Sequence, residues 1–138
     1  MTTRAPMTAA PAERHETAVV RRLVEEVMNE RRLDVIDELC TPSMARHWRR
    51  WVAPFQASFP DMRMEIVQLV AEGDTVVGRF TCSATHTREW RGHAATGRRF
   101  ESVEEVYFFS FEDGRISEAW GLEDTLDRMR QLGLAGSS

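Results

Sequence analysis

Phe59-Pro60-Asp61, Ala71-Glu72-Gly73-Asp74, Thr85-His86-Thr87, Thr96-Gly97-Arg98, Asp113-Gly114-Arg115-Ile116, Trp120, Asp124 and Gln131-Leu132-Gly133 follow one another between residues 59 and 133. Each fragment alone is a common turn or strand end. Between them the residues alternate as strands do. Met64, Ile66, Leu69 and Val70 set a first strand, residues 75–87 a second, 99–111 a third and 115–122 a fourth. Gly73-Asp74 and Asp113-Gly114 are hairpin connections. Asp124 then opens a short helix that reaches Gln131, with Gly133 placed to end it.

Upstream the period changes to that of helices. Val19, Val20, Leu23, Val24, Val27 and Met28 fall on one face of a helix over residues 13–30. Asn29 lies near its stop, and a short second helix carries Leu33, Ile36, Leu39 and Cys40. Thr41-Pro42-Ser43 breaks that helix. Residues 44–58 form a third, expected to hold until Pro54 interferes. Residues 1–12 are expected to be a disordered tail and 135–138 a frayed end, leaving one domain over 13–134. Helices followed by meandering antiparallel strands give an α+β layered architecture.

Composition narrows the function classes. A formal net charge of −4 over 138 residues offers no electrostatic reason to bind nucleic acid. The basic-aromatic run Arg46, His47, Trp48, Arg49, Arg50, Trp51 is better read as a helix lidding a pocket than as a nucleic-acid face. All 18 basic residues are Arg, a mark of a GC-rich coding sequence. Cys40 and Cys82 are isolated thiols without CxxC spacing, read as small buried hydrophobes in a reducing compartment. Neither a signal-peptide core nor a membrane-length apolar run is visible, so a cytoplasmic location away from membranes is expected. No HxH or HExxH occurs, and no metal site is expected.

The string of fragments between Phe59 and Gly133, in that order and at that spacing, resembles the SnoaL-like polyketide cyclases of the NTF2-like superfamily. The resemblance implies an NTF2-like cone, with N-terminal helices packed on a curved antiparallel sheet that encloses a pocket. It also implies a homodimer paired through the sheets, a role in natural product biosynthesis and a hydrophobic, polyketide-like small-molecule substrate. Here the glycines that flank Thr-His-Thr in the family are Ala84 and Arg88, and Ala119 stands where a His often precedes the Trp. The family's pocket His on the strand before the last hairpin has no counterpart; Glu104, Glu105, Tyr107 and Ser110 are the polar residues there.

An aldol-type ring closure needs a base for an acidified C–H and an acid for the carbonyl oxygen. One carboxyl with a pKa near working pH serves both roles, and burial in an apolar cone moves it there. By the resemblance Asp124 is that carboxyl; read from its position alone it is a helix N-cap. Tyr107 has a hydroxyl able to polarise a carbonyl, and Glu105 shares its strand face. If Glu105 points inward, a carboxylate pair with Asp124 would also suit water attack on an epoxide. Trp120, His47, Trp48, Trp51, Phe59 and His86 are the expected substrate-binding residues, with a structural role the alternative for His86. The expected activity is therefore cofactor-free acid/base ring closure. The alternatives are a hydrolase, isomerase or hydroxylase-like reaction in the same pocket, or a non-catalytic binding protein for a hydrophobic metabolite.

Overall fold

The computed structural model describes residues 13–135. The tail expected at 1–12 and the last three residues of the expected frayed end lie outside them. In chain order come α1 (His15–Arg22), continued by a wider π-type helix (Leu23–Asn29), a 3-10 turn (Leu33–Val35), α2 (Ile36–Leu39) and α3 (Pro42–Ser58). Strands β1 (Arg63–Glu72), β2 (Thr75–Thr85), β3 (Arg99–Glu112) and β4 (Arg115–Glu123) follow, then α4 (Thr125–Gln131). The strands form one antiparallel meander in the order β1-β2-β3-β4, leaving β1 and β4 as edges.

The apolar face expected of the first helix is the one buried: Val19, Val20, Leu23, Val24, Val27 and Met28 are all covered. Its C-terminal end is satisfied by side chains from elsewhere. Gln56 Nε2 on α3 donates to the carbonyls of Val27 and Met28, at 3.0 and 3.3 Å. Asn29 acts as a one-residue strand beside the β1 edge. It donates to Met64 O at 2.9 Å and accepts from Met64 N–H at 2.7 Å.

Two proline expectations change. Pro42 starts α3 as well as ending α2, because Thr41 caps the new helix by accepting from Met44 N–H at 3.4 Å. Pro54 does not end α3, which runs on to Ser58. The proline lies on the exposed face of the helix, where water can satisfy the carbonyl it leaves unpaired. Met44, Trp48, Val52 and Gln56, spaced by four, form the buried row that lies over the sheet.

The turns behave as their residues dictate. Asp113 and Gly114 both have positive φ between the paired Glu112 and Arg115, the tight hairpin that Asp-Gly favours. Asp61 pins the Phe-Pro-Asp turn to the end of β2 by accepting from Thr85 N–H and Oγ1, each at 2.7 Å. Bulges interrupt all three strand pairings, at Ile66/Gln68, Cys82/Ala84 and Ser110/Phe111, and bend the sheet around the helices. Phe80, Phe109, Tyr107 and Trp48 fill the concave side as a packed aromatic cluster.

Candidate active site

Glu105, Tyr107 and Phe109 of β3 point to the concave side, opposite Glu123, Gly121 and Ala119 of β4. Glu105 is 3 % exposed and makes two hydrogen bonds. Its Oε1 accepts from the Tyr107 hydroxyl at 3.0 Å, and its Oε2 from Arg128 Nη2 at 2.8 Å. Arg128 enters from α4 and is itself buried. Its Nη1 donates to Glu123 Oε1 at 2.9 Å, and its guanidinium lies 5.1 Å from the Phe55 ring centroid and 4.9 Å from that of Phe100. One cation thus holds two carboxyl groups between two aromatic rings.

The protonation of this cluster follows from its burial. Desolvation, and next the charge of Glu123, outweigh Arg128 and push the Glu105 carboxyl from its ordinary 4.5 up to about 7. Burial and the neighbouring carboxylates push the Tyr107 phenol well above its usual range, so it remains an O–H donor. The Arg128 guanidinium is raised and stays charged. Cys82, close by, is a buried thiol held protonated mainly by desolvation.

Three hollows meet at this cluster. An interior one of about 10 Å³, bounded by Met28, Val52, Met62 and Met64 among others, reaches Glu105. A cleft of about 170 Å³ on one side is lined by His47, Trp48, Tyr107 and Gly121. Another of about 270 Å³ on the other side is lined by Phe55, Ser58, Trp90 and Arg128. Trp51 and Glu123 belong to all three. Gly121 makes the first cleft possible, because a Cβ there would overlap the Tyr107 ring. Gly121→Ala is expected to push Tyr107 off Glu105 and destabilise the fold by about 1–3 kcal/mol. Urea unfolding together with Tyr107 ring shifts by NMR would check this, and unchanged shifts would refute it.

Of the residues expected from sequence, Tyr107, His47, Trp48 and Trp51 line the 170 Å³ cleft, and Glu105 borders the small interior hollow beside it. Asp124 does not join them. It is exposed, and its Oδ1 caps α4 by accepting from Asp127 N–H at 3.0 Å. Trp120 is 59 % exposed on the convex side, edge-on to Phe108 with ring centroids 5.6 Å apart. Phe59 is buried behind the cleft against Phe55, His86, Trp90 and Phe100. His86 stacks on Phe59, and its Nδ1 accepts from Thr96 N–H at 3.2 Å, closing the loop between β2 and β3. Sequence reasoning missed Glu123 and Arg128. Among the described residues, no group of three or more His, Cys, Asp or Glu is placed to hold a metal ion. Nor is any helix among them long and apolar enough to cross a membrane.

The family model for SnoaL-like polyketide cyclases matches residues 18–132. The chain belongs to the SnoaL-like polyketide cyclase family. Solved structures of similar proteins agree with its helices-on-sheet architecture, an NTF2-like fold. TsrD from Streptomyces laurentii is 25 % identical, with a TM-score of 0.82 over 93 % of this chain and 100 % of that one. IdmH from Streptomyces antibioticus, a candidate polyketide cyclase, is 27 % identical, with a TM-score of 0.76 over 87 % and 99 %. AclR from Streptomyces galilaeus, a candidate hydroxylase, is 25 % identical, with a TM-score of 0.79 over 89 % and 83 %. A search of curated proteins finds no match.

Proposed function

We propose that this SnoaL-like protein is an acid/base enzyme that closes a ring in a polyketide-like small molecule, with Glu105, Tyr107 and Glu123 as its proton-transfer groups. The observation that carries the reading is the buried Glu105 carboxyl hydrogen-bonded to a tyrosine whose ring lines an accessible cleft. With the substrate carbonyl at the Tyr107 hydroxyl, Glu123 takes the proton from the carbon between two carbonyls. That carbon then bonds to the carbon of the remote carbonyl held at Tyr107, as its C=O π bond opens. The new alkoxide takes the Tyr107 proton, and Tyr107 is reprotonated by Glu105 along the 3.0 Å hydrogen bond. Exchange with water returns the Glu123 proton to Glu105. Arg128 holds both carboxyls in place through the cycle and offsets the charge as it shifts between them.

The shared guanidinium favours a second reading, hydration of an epoxide. Glu123 takes a proton from water as the water oxygen bonds to an epoxide carbon; the ring C–O bond at that carbon breaks, and the opening oxygen takes the Tyr107 proton, which Glu105 replaces. Candidate polycarbonyl and epoxide substrates incubated in ¹⁸O-labelled water separate the two. A ring-closed product without the label supports closure, and a product that gains labelled oxygen supports hydration.

The convex side of the sheet carries an apolar stripe in which Val70 pairs with Val77, Val77 with Phe108 and Phe108 with Trp120, with Leu122 exposed beside it. We infer that a second copy of the chain covers this face, the same apolar stripe meeting itself about a two-fold axis. Leu122→Arg would place like charges across that axis and is expected to shift the protein to monomer in sedimentation equilibrium. An unchanged mass would refute the pairing.

A further inference from the structure

Trp51 is a large aromatic residue left 37 % exposed on the helix that covers the site. Its ring stands edge-on to Tyr107, centroids 5.7 Å apart, and tilted against Trp48 at 5.1 Å. It walls the 170 Å³ cleft on one side and the 270 Å³ cleft on the other, and it roofs the interior hollow that touches Glu105. That interior hollow, about 10 Å³, holds no organic ligand. Neither cleft alone reaches the ~300 Å³ at which small-molecule pockets begin. Joined, they would exceed it.

The backbone beneath Trp51 is suited to movement. Pro54, three residues on, has no N–H to donate to the carbonyl of Arg50, so the turn carrying Trp51 lacks one of its hydrogen bonds. The surfaces uncovered on either side of the indole are flat and aromatic: Trp48 and Tyr107 in one cleft, Phe55 and Trp90 in the other. His47 lines one cleft and Arg91 the other.

We propose that Trp51 is the specificity-determining partition of the site: a flat, multi-ring ligand binds by displacing its indole, spanning both clefts and reaching the Glu105–Glu123 pair. This rests on the reading that the clefts hold the substrate, and it adds a size and shape requirement. A small ligand fits one cleft and leaves Trp51 in place, away from the buried carboxyl. A long planar one must open the partition, and in doing so meets both carboxyl groups.

The test is a fluorescence titration of the full chain with 2-aminoanthracene, a neutral, flat probe of three fused rings, in wild type, Trp51→Phe and Trp51→Ala. If the open arrangement is populated at about one part in ten, removing the indole tightens apparent binding about tenfold, with Trp51→Phe between. Equal or weaker binding to a folded Trp51→Ala overturns the proposal. Should Trp51→Ala fail to fold, wild type labelled with 5-fluorotryptophan carries the test, the Trp51 ¹⁹F resonance being assigned from Trp51→Phe. That resonance is expected to shift on saturation with the probe, and an unmoved resonance overturns the proposal. Glu105→Gln separates this idea from the catalytic reading. Turnover surviving in that variant refutes the chemistry and leaves the probe result standing, and an unmoved Trp51 refutes the partition and leaves the chemistry standing.

Discussion

Glu105→Gln is expected to lower turnover of the true substrate by about two to four orders of magnitude, the usual contribution of a positioned proton donor. Binding of a product-like ligand should be little changed. Gln keeps the shape and the hydrogen-bonding reach of Glu105, and the Tyr107 hydroxyl can turn from donor to acceptor against the new amide. What is lost is the proton that Glu105 holds near neutral pH, with its carboxyl pushed up to about 7 by burial. In the wild type kcat should fall as pH rises through that value, because the acid form disappears. Turnover surviving in the variant would move the chemistry to another group.

The same carboxyl gives a stability signature. Its pKa is raised in the folded state, so folding favours the protonated form. The contribution is fully present below the unfolded value of 4.5 and is lost as pH rises through about 7. Urea unfolding at pH 5 and pH 8 should therefore show wild type losing stability with pH more steeply than Glu105→Gln. Equal slopes would mean the carboxyl is ionised at both pH values.

How much of this was legible beforehand depended on how local the determining interactions are. The first helix face, the Asp113-Gly114 hairpin and the Gly133 stop are set within a few residues of themselves, and all are found where the sequence puts them. The site is set by register, which is not local. Counting back from the Glu112–Arg115 pair would put Leu122 opposite Glu105 and Trp120 opposite Tyr107, both facing inward. One bulge between Ser110 and Phe111 shifts the pairing by a residue, so that Glu123 faces Glu105 and Gly121 faces Tyr107. Trp120 and Leu122 are thereby turned outward, and Glu123 replaces Asp124 as the inward carboxyl. Arg128 gave a fainter signal. It lies four residues before Leu132 on the helix face that is buried, a position where a charge survives only if something pairs with it. Asp124 carries the family pattern, and its own neighbours make it a cap.

Arg128→Met is expected to cost the fold about 3–5 kcal/mol. The methionine fills part of the volume between Phe55 and Phe100, but it leaves Glu105 buried without a countercharge and Glu123 without its partner. Glu105 should answer by holding its proton to still higher pH, so the damage is smallest in acid and grows as pH rises. Adding Glu105→Gln removes the stranded charge and should recover much of the loss, since a buried ion pair replaced on both sides is often close to neutral. Urea unfolding of wild type, both single variants and the double variant at pH 6 and pH 9 measures the coupling directly. A coupling larger at pH 9 than at pH 6 would show that the guanidinium's main structural task is to make a buried carboxylate tolerable. Strict additivity would show that Arg128 contributes through packing against its two rings and not through charge.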